Sequence, residues 1–200
     1  MKRRFLIVIS LIVFLLMFLL YKIDCIEFID NYFYDLIIKI KSDNMTDIMK
    51  FLTFFASVKF VILVLIVLIA LSIWLKKIPI IINVIVIGEV ILNNIVKLIV
   101  KRDRPKLISL VKETSFSFPS GHTMVSVVLY GFLIYLISKS KINKILKKIL
   151  IALLSILILL IMISRIYLGV HYFSDILAGF SLALSYLLVV INIIERKKLL

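Results

Sequence analysis

The sequence predicts an all-α, polytopic membrane protein with six transmembrane helices in one bundle and an interfacial helix in the first outer loop. Three observations carry this reading. Of 200 residues, 64% are hydrophobic, and the mean hydropathy is +1.21. A water-soluble globule of this size leaves much of its surface exposed and could not hide so much apolar area. The apolar residues fall in six runs, each close to the ~20 residues a helix needs to cross the hydrocarbon core. None of them alternates as a barrel strand would, and a backbone in lipid must satisfy its own hydrogen bonds, so helices remain. The length suits one membrane-embedded domain over 1–200, with the motif-bearing core at about 51–190.

The first run, 5–21, follows Lys2, Arg3 and Arg4. That beginning resembles a signal peptide, but no small-residue cleavage site follows, so a retained helix is expected. In 27–41 the residues Ile29, Phe33, Leu36, Ile37 and Ile40 form one stripe, with Asp30, Asp35 and Lys41 off it. Such a stripe suits a helix lying on the membrane or a loop helix packed on the bundle. The runs 51–75, 78–100, 120–137, 145–163 and 172–194 complete the six. Trp74, Tyr135 and Tyr186 are expected to be interfacial anchors or core residues. The single cysteine, Cys25, excludes an intramolecular disulfide and a thiolate metal cluster.

The net charge of +14 raises the question of nucleic acid. The basic residues sit in short clusters between apolar runs, so the expected partner is the lipid bilayer, with no nucleic acid. With both termini on the cytoplasmic side, the inner segments hold Lys2, Arg3 and Arg4; Lys76 and Lys77; Lys139, Lys141, Lys144, Lys147 and Lys148; and Arg196, Lys197 and Lys198. The outer loop 22–50 is net acidic. The outer loop 101–118 is basic and breaks the rule, which calls for a local chemical reason. Lys101, Arg102, Lys106 and Lys112 are read as contacts to lipid headgroups or selectors of a second phosphate.

Three groups of residues supply that reason. Lys97 and Arg104-Pro105 end the third helix, Pro119-Ser120-Gly121-His122 opens the fourth, and Ser164-Arg165, His171 and Asp175 span the junction of the fifth and sixth. They belong to the third and fifth inter-helix loops, so all emerge on one face. Fixed cations near hydrocarbon are costly and imply function. Arginine matches phosphate oxygens as a fork, and lysine acts as a point charge. Seven residues separate Lys97 from Arg104, which puts both on one helix face if the helix continues, although Pro105 biases against it. Ser120 is placed to N-cap the fourth helix, whose free N–H groups form an anion site that Gly121 lets a ligand approach. His171 and Asp175 are spaced to meet at a helix start, so the carboxylate can fix the imidazole tautomer. His122, the other histidine, could serve as general acid.

Together, Lys-x6-Arg-Pro, Pro-Ser-Gly-His and Ser-Arg-x5-His-x3-Asp resemble the signature of the type 2 phosphatidic acid phosphatase family, with no substitution and in the same order. The resemblance implies a lipid phosphatase that needs no metal or other cofactor. It implies that His171 attacks phosphorus, Asp175 orients it and His122 protonates the leaving oxygen. It further implies that Lys97, Arg104, Ser120, Gly121 and Arg165 hold the phosphate, on the extracytoplasmic face. Undecaprenyl diphosphate is the first candidate substrate, followed by phosphatidylglycerophosphate and phosphatidic acid. A soluble phosphate ester ranks lower, because no large insertion is present to recognise one. A transporter or structural membrane protein would predict no vanadate binding and an intact His171→Ala variant. Oligomeric state is left open. Glu89 and Asn93 share a stripe with Lys97 and are expected to bond to neighbouring helices.

Overall fold

The computed structural model describes residues 2–75, 77–105 and 109–199, without the side chains at 73–75 and 77–79. The expectations for Trp74, Lys76, Lys77 and Lys106 lie outside this set. The described residues form eight helices and no strand: α1 (Lys2–Lys22), α2 (Glu27–Ile38), α3 (Asp43–Phe54), α4 (Val58–Leu75), α5 (Lys77–Val100), α6 (Gly121–Lys139), α7 (Lys144–Tyr167) and α8 (Phe173–Lys197). Among the described residues, six stretches are long and apolar enough to cross a membrane: Lys2–Lys22, Asp43–Ser72, Ile80–Val100, Gly121–Lys139, Lys144–Tyr167 and Phe173–Lys197. The protein is a multi-pass, all-α membrane protein.

The second span departs from the expected single helix over 51–75. It starts earlier, because Ser42 caps α3 by accepting from the Met45 N–H at 3.2 Å. It then breaks at 55–57. Ser57 accepts from the Phe60 N–H at 3.3 Å to open α4, and the Tyr130 hydroxyl donates to the Phe55 carbonyl at 2.6 Å. Both devices satisfy backbone groups that a continuous helix would have paired internally.

The interfacial helix also differs in detail. It ends at Ile38, and Asp30, expected on its polar side, is its buried residue at 3% exposure. Phe33 docks the helix on the start of α8 by stacking on Phe173, centroids 3.6 Å apart.

Burial ranks the helices. Half of the apolar windows of α6 and α8 is buried, against 11% for α1 and for 43–72, so α6 and α8 form the centre. Val86, Met124, Val128, Phe132, Ile161 and Ala183 pack there. Large apolar side chains such as Phe5, Ile62, Ile99 and Ile145 stay exposed on the outside, where lipid replaces water. Lipid gives no hydrophobic drive between helices, so close packing and polar contacts hold them. Ser10 and Ser185 pair their hydroxyls at 2.8 Å between α1 and α8, and Tyr186 donates to the Ile85 carbonyl at 2.9 Å. Tyr186 is therefore a core residue. The Tyr135 hydroxyl donates to Glu195 at 3.3 Å, at the end of the bundle that holds Arg3 and Lys139.

Candidate active site

The three motif groups meet at the opposite end of the bundle. Lys97 sits in the last turn of α5. The helix stops there because Lys101 adopts a left-handed backbone (φ 52°) while its N–H donates to the Lys97 carbonyl at 2.9 Å. Arg104 thus lies beyond the helix, and its nearness to Lys97 is set by the loop rather than by helical spacing. Ser120 caps α6, accepting from the Thr123 N–H at 3.4 Å. Its own N–H donates to the Asp175 carbonyl at 3.1 Å, tying α6 to α8. A Cβ on Gly179 would lie 3.0 Å from the Ser120 carbonyl oxygen, so glycine permits that approach.

A cavity of about 390 Å³ opens here. Lys97, Arg104, Gly121, His122 and His171 line its polar end, and Val61, Ile62, Leu65, Ile87 and Ile91 line its apolar end. Asn93 lies on its wall and donates to the Pro119 carbonyl at 3.3 Å and to Met124 Sδ on α6 at 3.1 Å, the second being the interhelical tie expected of it. Glu89 also faces the cavity; it is buried, and its Oε2 has no hydrogen-bond partner.

His171 precedes α8 rather than lying within it, yet the expected pairing forms. Its Nδ1 is 3.5 Å from Asp175 Oδ2 and 3.3 Å from Ser117 Oγ. The Ser117 hydroxyl donates to Asp175 Oδ2, so it can only accept from His171. This pattern assigns the proton to Nδ1 and leaves a lone pair on Nε2. Nε2 is 3.3 Å from Arg104 Nη1. Burial, then the nearby cations Arg165, Arg104 and Lys97, hold His171 well below the ordinary imidazole range, which keeps the ring neutral.

Arg104 is braced by Ser115 and Val170: Nε donates to the Ser115 carbonyl at 2.7 Å and Nη1 to the Val170 carbonyl at 2.8 Å. Burial lowers its pKa. Lys97 donates to the Phe116 carbonyl and to Ser115 Oγ. Two expected phosphate holders do not line the cavity. Ser120 is fully buried with its hydroxyl spent on the cap, and Arg165, 1% exposed, donates to Thr53 and to Glu113.

Glu113, Ser117, Arg102 and Asp30, all outside the motifs, complete the site. Glu113 is the carboxylate among the cations: it pairs with Arg165, lies 3.8 Å from Arg104 and is 4.0 Å from His122 Nδ1. Ser117 joins the His171–Asp175 pair. Arg102, expected among headgroups, is instead buried at 6% exposure and bonds Asp175 Oδ1 at 2.7 Å and Asp30 Oδ2 at 2.8 Å. Those two carboxylates outweigh burial and raise its pKa. Lys101 and Lys112 are exposed, as headgroup contact requires.

A helical membrane bundle sets a buried histidine–aspartate pair against a cavity with cations at one end and apolar side chains at the other. The chain belongs to the PAP2 superfamily, whose family model matches residues 78–199. Phosphatidylglycerophosphatase B of Bacillus subtilis (strain 168) is 39% identical over 110 residues, which covers 54% of this chain and 54% of that relative. The match thus spans about half the length of the relative. The crystal structure of the first transmembrane PAP2 type phosphatidylglycerolphosphate phosphatase, from Bacillus subtilis, superposes with a TM-score of 0.86 at 26% identity, covering 95% of this chain and 96% of that one. Aquifex aeolicus LpxE superposes with a TM-score of 0.66 at 20% identity, covering 82% and 95%, a likeness of fold.

Proposed function

We propose that this protein is a membrane lipid phosphatase that works without a metal, through a phosphohistidine on His171. One observation carries the reading: the unprotonated Nε2 of a neutral imidazole accepts from Arg104 at the edge of a cavity that is cationic at one end and apolar at the other. The substrate phosphate enters the polar end and displaces the Glu113 carboxylate from among the cations. Nε2 attacks phosphorus, the bond to the leaving oxygen breaks, and His122 gives that oxygen a proton. Water then attacks phosphorus, the P–N bond breaks, and His122 recovers its proton. Lys97 and Arg104 offset the charge on the equatorial oxygens, the Gly121 N–H completes the holding set, and Arg165 adds its charge from behind Glu113, outside the cavity lining. Ser120 acts by fixing the start of α6.

The apolar end of the cavity suits an acyl or prenyl chain arriving sideways from the bilayer. Phosphatidylglycerophosphate leads the candidates, because the two Bacillus proteins named above support it. Undecaprenyl diphosphate, first on sequence grounds, and phosphatidic acid follow. The site faces the extracytoplasmic side: the basic clusters at Arg3, Lys139 and Arg196 mark the other end of the bundle as cytoplasmic.

The test is phosphate release by purified protein in EDTA from each of these three lipids. Turnover of phosphatidylglycerophosphate, undiminished by the chelator, is expected. No release from any lipid phosphate, or a strict magnesium requirement, overturns the reading.

A further inference from the structure

The sequence motifs end at Asp175, but the structure does not. Asp175 Oδ2 takes bonds from Ser117 and from the Tyr172 N–H at 2.9 Å, and faces His171. Its other oxygen, Oδ1, belongs to Arg102, whose Nη1 donates to it and to Ser174 Oγ, each at 2.7 Å. Arg102 Nη2 reaches Asp30 on α2. Asp30 in turn accepts from the Ser174 N–H and hydroxyl, both at 2.8 Å, so it caps α8 from another helix. The guanidinium is sandwiched between Tyr21 and Tyr172, 4.8 and 4.0 Å from the ring centroids.

This is a closed, buried network. Arg102, Asp30 and Asp175 are each under 10% exposed. Two carboxylates and one guanidinium are costly to bury unless every partner is in place, and loss of one leaves an uncompensated charge. None of the three lines the substrate cavity. Asp30 serves the α8 cap as well, but the Arg102 bond to Asp175 Oδ1 adds nothing to that cap; what it supplies is a fixed carboxylate behind the imidazole.

We infer that Arg102 and Asp30 are positioning residues for the proposed phosphoryl transfer: the Asp30–Arg102 pair locks the Asp175 carboxylate, and through it the tautomer and aim of His171. The inference rests on the proposed function for its kinetic readout and on the imidazole alone for its second. Both act through Asp175 and neither touches substrate. The interfacial helix α2 is thereby part of the reactive assembly.

The protein has two histidines, which makes the second readout direct. In ¹⁵N-histidine-labelled protein, with His122→Ala for assignment, His171 is expected to show a protonated Nδ1 and an unprotonated Nε2. Asp30→Asn, which is isosteric, and Arg102→Gln are each expected to mix the tautomers. Each should lower kcat on phosphatidylglycerophosphate about 10-fold or more while KM stays within about 3-fold, since the phosphate seat is untouched. Arg102→Lys, keeping charge but not the fork, is expected to recover part of both. A wild-type His171 signal in folded Asp30→Asn overturns the inference, whatever the rates. So does kcat within about twofold of wild type, or failure of the isosteric variant to fold, which would make Asp30 a cap and nothing more. An inactive wild type with the predicted tautomer shifts would sink the proposed function and leave the positioning intact.

Discussion

The two sides of the His171 ring are built differently. Behind Nδ1 the protein is closed: Asp175, Ser117, Arg102 and Asp30 are buried and bonded to one another. In front of Nε2 it is open: Arg104, Lys97 and His122 edge a cavity, and a partly exposed carboxylate, Glu113, stands among the cations. The charges of the closed side are held in buried pairs, and Asp175, Arg102 and Asp30 do not line the cavity in front of Nε2. The open side can exchange one anion for another at little cost, because Glu113 can turn back toward water while a phosphate takes its place. The nucleophile proposed here must point at phosphorus, which needs the first kind of surrounding on one nitrogen and the second on the other.

Breaking either side should have unequal consequences. His171→Ala removes both and should cost about 10⁴-fold or more in kcat, read as phosphate release. Asp175→Asn attacks the closed side alone; it offers an amide in place of the carboxylate and should cost about 10³-fold, with KM little changed. On the open side, Arg104→Lys keeps a charge but loses the fork that Ser115 and Val170 brace, and a drop of about 10- to 100-fold in kcat/KM is expected. Glu113→Gln removes the resident carboxylate. It should tighten orthovanadate inhibition by about 3- to 10-fold, and weaker inhibition would show that Glu113 is no stand-in for the phosphate.

The smallest effect is that of pH. His171 is depressed below its ordinary value, so the neutral ring persists as pH falls, and protonation sets in only below that range. The rate of phosphoenzyme formation should stay nearly constant between pH 7.5 and pH 6.5, where an ordinary imidazole would lose about half of its neutral form. A steep acid limb at neutral pH would mean that the cations and burial do not act on the ring as described.

Much of the open side was legible in the sequence. Lys97, Arg104, His122 and His171 stand out because a cation or a histidine beside an apolar run has few structural excuses. The closed side was legible only as far as Asp175. Arg102 lies 73 residues from Asp175 and 72 from Asp30 in the chain, both charges sit between membrane spans where they read as solvated, and no local spacing joins them. Hydropathy found the second span but not its break, because Ser57 and the Tyr130 hydroxyl act through single hydrogen bonds that leave no periodic trace. The Lys97–Arg104 spacing gave the right neighbours for the wrong reason, since Lys101 turns the chain out of the helix.

The most direct test is to trap the phosphoenzyme. Purified protein is mixed with phosphatidylglycerophosphate, quenched in alkali to preserve P–N bonds, and mapped by mass spectrometry. The account predicts one phosphoryl group, on His171, absent from the His171→Ala variant. Turnover with no phosphohistidine at any time point, together with inversion rather than net retention of configuration at phosphorus, would contradict it.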